Sequence, residues 1–253
     1  MIYMRDTVNH VDLQELKKIL YYYPDLADTD TKIKNVGLCE ALIKFTETFN
    51  PSKACEALHT QKTRQLFYQA ETDFWMAMTV NVPTQQRTRD GQVYIEYLAD
   101  DVQDHVYKSI LKTSYLMFRL FNGTFQRILS KSGNSEMLKE KLSAFYKKYL
   151  PILKLSQADL LDVYQGIHFL PLDKYAFLKV QCFVNLLEAN FSHIKYTAFL
   201  YNDQLVWSGL EQDNMQVLYM YLTLSLIPSF LETEIQGGSV MPSTKVGLGS
   251  HYG

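Results

Sequence analysis

The chain has 253 residues, 47% of them hydrophobic and 21% charged, an ordinary balance for a globular protein of one or two domains that buries a core. Its formal net charge of −2 supplies no long-range field, so bulk electrostatics points to neither nucleic acid nor an anionic membrane. The three cysteines, Cys39, Cys55 and Cys182, are widely spaced with no C-x-x-C pair, and they support neither a disulfide framework nor a zinc site.

In chain order, Met1–Met4 and Lys18–Tyr23 are short apolar or aromatic runs that predict two strands, and Pro24 with the acidic stretch Asp25–Asp30 predicts the turn after them. Ile33–Phe49 reads as a helix. Its apolar residues fall on two adjoining stripes, 38, 42, 45, 49 and 36, 39, 43, so a wide buried face is expected, with Glu40, Lys44 and Glu47 as the polar strip. Thr63–Gln69 and Asp73–Val82 predict strands, the second dense enough for the centre of a sheet. Thr84–Gly91 reads as a polar loop and Val93–Tyr97 as a fifth strand. Asp100–Asn122 predicts a helix stopped by Asn122-Gly123, and its acidic start suits a helix N-terminus better than a metal. A further helix is expected from Asn134 to Leu150, its Lys139, Lys141, Lys147 and Lys148 forming a solvated face.

Ala158–Asn190 looks helical, with breaks at Gly166 and Pro171. Tyr196–Tyr201 and Gln204–Ser208, separated by Asn202-Asp203, give a hairpin signal, and a very apolar helix follows from Glu211 toward Leu231. Met215–Leu231 is uncharged, but it is shorter than the ~20 residues of a membrane span and contains Gln216 and Pro228. A helix buried on more than one side is the better account. The β-β-α order therefore occurs twice, which suggests a duplicated domain type.

Five segments carry a resemblance that runs in order along nearly the whole chain: Lys32–Leu42, Leu58–Lys62, Phe121–Phe125, Phe169–Lys174 and Tyr196–Asp213. They resemble the Ccz subunit of the Mon/Ccz vacuolar fusion complex, whose relatives include the inturned and Hermansky-Pudlak type four proteins. The resemblance implies an α+β longin fold, a five-stranded antiparallel sheet with one helix on one face and two on the other, followed by an incomplete second longin unit. The expected boundaries are residues 1–150 for the first longin domain, 151–190 for a helical connector, 191–231 for the start of the second domain and 232–253 for a flexible tail. It further implies the N-terminal half of a longer protein, with the first strand clipped.

No phosphate-binding loop, nucleophile elbow or metal-ligand spacing occurs, and the six histidines are scattered. No catalytic, cofactor or metal residue is expected. What the resemblance implies is a non-enzymatic subunit of a guanine nucleotide exchange factor. It would pair with the Mon subunit, serve a Rab-seven-type GTPase, and sit in the cytoplasm and peripherally on late endosome or lysosome membranes through the complex. The alternative is a stand-alone longin adaptor. The contact residues it points to are Lys32, Lys34, Asn35 and Leu38, at the start of the first helix. Trp75 joins them as an interface anchor, although core packing is the default for a tryptophan in a strand.

Overall fold

The computed structural model describes residues 1–5, 15–52, 54–89, 92–153 and 166–228. The chain divides into two compact units, Met1–Gly166 and Ile167–Gly253.

In the first unit, strands β1 (Ile2–Met4), β2 (Ile19–Tyr21), β3 (Ala57–His59), β4 (Thr63–Glu71) and β5 (Phe74–Asn81) form one antiparallel sheet in the order β2-β1-β5-β4-β3. Successive side chains of a strand point to opposite faces, and both faces of this sheet are apolar. Ile2, Leu20, Leu66, Phe74 and Met76 pack with residues of α3 (Asp104–Asn122), α4 (Phe125–Ser132) and α5 (Glu136–Tyr149). Their neighbours Tyr3, Ile19, Phe67, Trp75 and Ala77 pack with Val36, Cys39 and Ile43 of α2 (Thr29–Phe49). A short helix, α1 (Glu15–Lys18), leads into β2.

The fifth strand of the sheet is β3, an edge element of three residues that is too short to show a period. Val93–Tyr97 does not fill that place. It belongs to β7 (Gln92–Tyr97), which pairs with β6 (Thr84–Arg89) as a separate two-stranded ribbon, so the polar run from Thr84 is a strand and not a loop. The helix expected from Asp100 begins at Asp104, after a 3₁₀ turn over Ala99–Asp101.

Helix α4 is also new. Eight residues are too few for a clear 3.6-residue stripe, and its N-terminus is completed from a distant strand. The Glu71 carboxylate, at the end of β4, accepts from the backbone N–H of Phe125 at 2.6 Å and of Gln126 at 3.0 Å, and from the Tyr115 hydroxyl at 2.8 Å. Orphan amides of α4 are thus satisfied through tertiary contact, and α3 is tied to the same oxygen. Gly133 closes α4 in the left-handed region at φ 70.

In the second unit, β8 (Ala198–Tyr201) and β9 (Gln204–Ser208) form the expected hairpin, with Asn202 at positive φ in its turn. Helix α6 (Lys174–Asn190) starts only after Pro171, where the Asp173 carboxylate accepts from the N–H groups of Tyr175 and Ala176. Residues 158–165 of the helix expected there lie outside the described residues, as does the 232–253 segment. Helix α7 (Gln212–Tyr221) continues as a π turn over Leu222–Leu226, and Met215 and Tyr219 bury against Leu205 of β9. Rings of α6 meet the hairpin through Phe177–Trp207 and Phe183–Phe199. Among the described residues no helix is long and apolar enough to cross a membrane.

Replacing Glu71 with Ala removes three accepted hydrogen bonds at once, and the expected loss is about 1 to 3 kcal/mol of stability. Urea denaturation of the variant and the parent measures it.

Candidate functional site

Helix α2 carries the surface that distinguishes the first unit. It starts at Thr29, four residues ahead of the expected Ile33, because the Asp28 carboxylate accepts from the Thr31 N–H at 3.1 Å and caps it. Hydrogen bonding by Thr31 holds that carboxyl below its ordinary pKa.

The helix is fixed by charge as well as packing. Glu40 is buried, with Lys18 at 3.4 Å and Lys44 at 3.0 Å from its oxygens, which ties α1 to the middle of α2. With two cations beside it, the buried Glu40 carboxylate is compensated from both sides. Toward the C-terminal end Arg5 forks onto both oxygens of Glu47 at 2.7 and 2.6 Å, clamping the segment after β1 to the helix.

Only one of the two apolar stripes of α2 is wholly in the core; of the other, Leu42 alone packs against it, partly buried. Val36, Cys39 and Ile43 are buried, but Leu38, Phe45 and Phe49 are 52%, 61% and 74% exposed. The expectation of a single wide buried face is therefore corrected. A helix laid on one face of a sheet covers a limited arc, and no further layer overlies the outer stripe of α2 among the described residues. Phe45 and Phe49 meet edge to face at 4.9 Å, one turn apart, and Leu38 lies two turns before Phe45 on the same side. Large apolar side chains thus stand together on the outer side of a well-anchored helix.

At the helix start, Lys32 donates to the Asp25 carbonyl at 3.0 Å and sits 5.7 Å over the Tyr22 ring, while the Asn35 amide donates to the Tyr22 hydroxyl at 2.6 Å. Lys34 and Leu38 face outward. The structure thus brings four of the sequence-predicted contact residues onto one helix, two of them organised about Tyr22. Trp75 lies elsewhere, on β5 beneath α2, 2% exposed and packed with Tyr3, Val36 and Phe67. Its indole N–H has no partner among the described residues. Sequence reasoning missed Tyr22, Phe45 and Phe49 as surface residues. The spacing of 45 and 49 was visible, but periodicity cannot tell a stripe that meets the core from one that meets a partner.

The thiol of Cys39 is pushed up to about 12 by burial, far from the thiolate a nucleophile needs. Among the described residues no group of three His, Cys, Asp or Glu side chains is placed to hold a metal ion.

Residues 1–123 match the family model described as the first longin domain of INTU, CCZ1 and HPS4, and residues 194–250 match Intu longin-like domain 2. Proteins named vacuolar fusion protein CCZ1 homolog align along 95% of the chain, with 53% identity to that of Nematostella vectensis and 49% to that of Xenopus laevis. The chain belongs to the CCZ1 family. A more distant homolog, from Dictyostelium discoideum, is 32% identical over 82% of the chain. The chain spans about half the length of the curated relatives it matches, with 52%, 51% and 47% of these three covered. The first unit is therefore a longin domain, and the second is a partial longin-like unit.

The Arg5–Glu47 clamp makes a pH-dependent contribution with a definite sign. Hydrogen bonding from Arg5 is the main cause that lowers the Glu47 pKa. A carboxyl depressed in the folded state stabilises fully above its unfolded value of about 4.3 and loses that contribution as pH falls through the folded value. Arg5→Met should therefore be less stable than the parent at neutral pH. The gap should narrow on acidification below the unfolded value, as read by urea melts at each pH.

Proposed function

We propose that this chain is a non-enzymatic subunit of a guanine nucleotide exchange factor, pairing with a Mon subunit to act on a Rab-seven-type GTPase at late endosome or lysosome membranes. The observation that carries this reading is the outward face of α2, where Leu38, Phe45 and Phe49 lie exposed beside the Lys32–Asn35 start of an otherwise anchored helix. Membership in a family whose members are named vacuolar fusion proteins supports it.

The mechanism needs no proton transfer and no covalent step. A surface that binds the nucleotide-free GTPase more tightly than the loaded one must weaken nucleotide binding by the same coupling energy, because linkage is reciprocal. Exposed apolar side chains supply the affinity, and the polar helix start at Lys34 and Asn35 supplies orientation. Tyr22 holds Lys32 and Asn35 in place, and Trp75 supports the helix from below. In this reading residues 1–150 form the longin domain that meets the partners. Residues 151–190 then connect to a second longin domain that begins at 191–231, with 232–253 as a tail.

The test is release of a fluorescent guanine nucleotide from the Rab, catalysed by this chain reconstituted with the Mon subunit. Leu38→Asp combined with Phe45→Asp, two exposed sites, should slow release by roughly 10-fold or more with an unchanged melting temperature. Lys34→Glu with Asn35→Ala should reduce it to a smaller extent. Unchanged release with both variants would remove α2 from the exchange surface, and no activity in the reconstituted parent would overturn the exchange reading itself.

A further inference from the structure

Among the described residues the β6–β7 ribbon is not paired with the five-stranded sheet, and on β7 Val93 and Ile95 are 66% and 59% exposed. An isolated pair of strands is marginally stable in water, so a ribbon with exposed apolar residues on one strand gains from a further strand.

The register shows which backbone groups remain unused. At the base the Leu98 N–H donates to the Pro83 carbonyl at 2.8 Å, and the pairing runs on unbroken from Thr84 opposite Tyr97 to Arg89 opposite Gln92. Bonded and non-bonded pairs alternate along an antiparallel ladder. Counting from Leu98 and Pro83, Glu96 with Gln85 and Tyr94 with Arg87 bond across the ribbon. Val93, Ile95 and Tyr97 then direct their N–H and C=O groups away from β6, toward the open edge of β7. Their side chains share one face of the strand. The opposite edge differs: its outward residues are Thr84, Gln86 and Thr88, and Arg87 and Arg89 belong to the same strand. Polar and cationic residues of that kind discourage further pairing.

We propose that the open edge of β7 pairs antiparallel with β7 of a second copy of this chain, about a two-fold axis through Ile95. The occupant follows from the complementarity of the strand to itself. In that register Ile95 meets Ile95 and Val93 meets Tyr97 of the second copy, so all three outward-facing residues find backbone partners and apolar neighbours together. Tyr94 meets Glu96, and no like charges stand opposite one another. A slip by one residue sets bonding groups against non-bonding ones. A slip by two leaves one of the three without an apolar partner. Because the β6 edge is polar, pairing closes as a dimer and does not grow into a fibre.

Sedimentation velocity of the full chain, from micromolar to hundreds of micromolar, tests the proposal. The parent should dimerise, and Ile95→Lys should raise the dimer dissociation constant by roughly 10-fold or more, with the melting temperature unchanged. Ile95→Pro should do the same, since the N–H it removes is not used within the ribbon. In a Cys182→Ser background, Ile95→Cys should oxidise to a disulfide-linked dimer, because facing bonded pairs lie about 5.5 Å apart, within disulfide reach. Val93→Cys should not. A parent that stays monomeric, an association that survives both Ile95 variants, or cross-linking at position 93 equal to that at 95 would each overturn the proposal.

Discussion

Burial of β5 on both faces is the constraint on which the first unit depends. Phe74, Trp75, Met76 and Ala77 are consecutive and all buried, so each neighbouring pair of residues must be covered from opposite sides. A strand of that composition cannot lie at an edge or face water. Each such side chain contributes roughly 1.5 to 3 kcal/mol when removed from water, and the contribution is realised only if helices cover both faces. Hence α2 lies on one side and α3, α4 and α5 on the other, with β1 and β4 flanking β5.

From that requirement the distribution of surface follows. Three helices share one face, where aromatic rings of α3, α4 and α5 meet one another: Phe118 contacts Phe125, Phe145 and Tyr146. On the other face, among the described residues, α2 is the one long helix. A single helix cannot be buried all round, and α2 is apolar over more of its circumference than the sheet can cover. The excess is the exposed stripe of Leu38, Phe45 and Phe49. Its position is held by the Glu40 ion pairs and by the Arg5–Glu47 fork, so the stripe is displayed on a rigid support. The exposed apolar side chains of α2 thus lie on the face of the sheet that has fewer covering helices among the described residues.

Much of this was legible in the residues. The hairpin around Asn202-Asp203, the strands Thr63–Glu71 and Phe74–Asn81 and the long helices all carry strong local signals, because their periodicity repeats over enough residues to be read. The elements that were missed share a short reach. Strand β3 has three residues and α4 has eight, and α4 draws its cap from Glu71 in a distant strand. The ribbon is a different failure. Asp90-Gly91 between two runs of matched length is a two-residue hairpin signal. A polar run such as Thr84–Arg89 reads as a loop, yet a strand that is exposed on both sides has no need of apolar residues.

Local sequence determined the kinds of element, their order, and the central place of the most apolar strand, since these depend on spacing along the chain. Family membership was legible in the same way, as words in order. Tertiary structure alone decided which stripe of α2 is core and which is surface. It also decided that Trp75 lies beneath the helix and that Tyr22 gathers Lys32 and Asn35. The physical reason is that burial belongs to pairs of surfaces. A side chain's spacing states which face it shares, but whether that face is covered depends on residues far away in the chain.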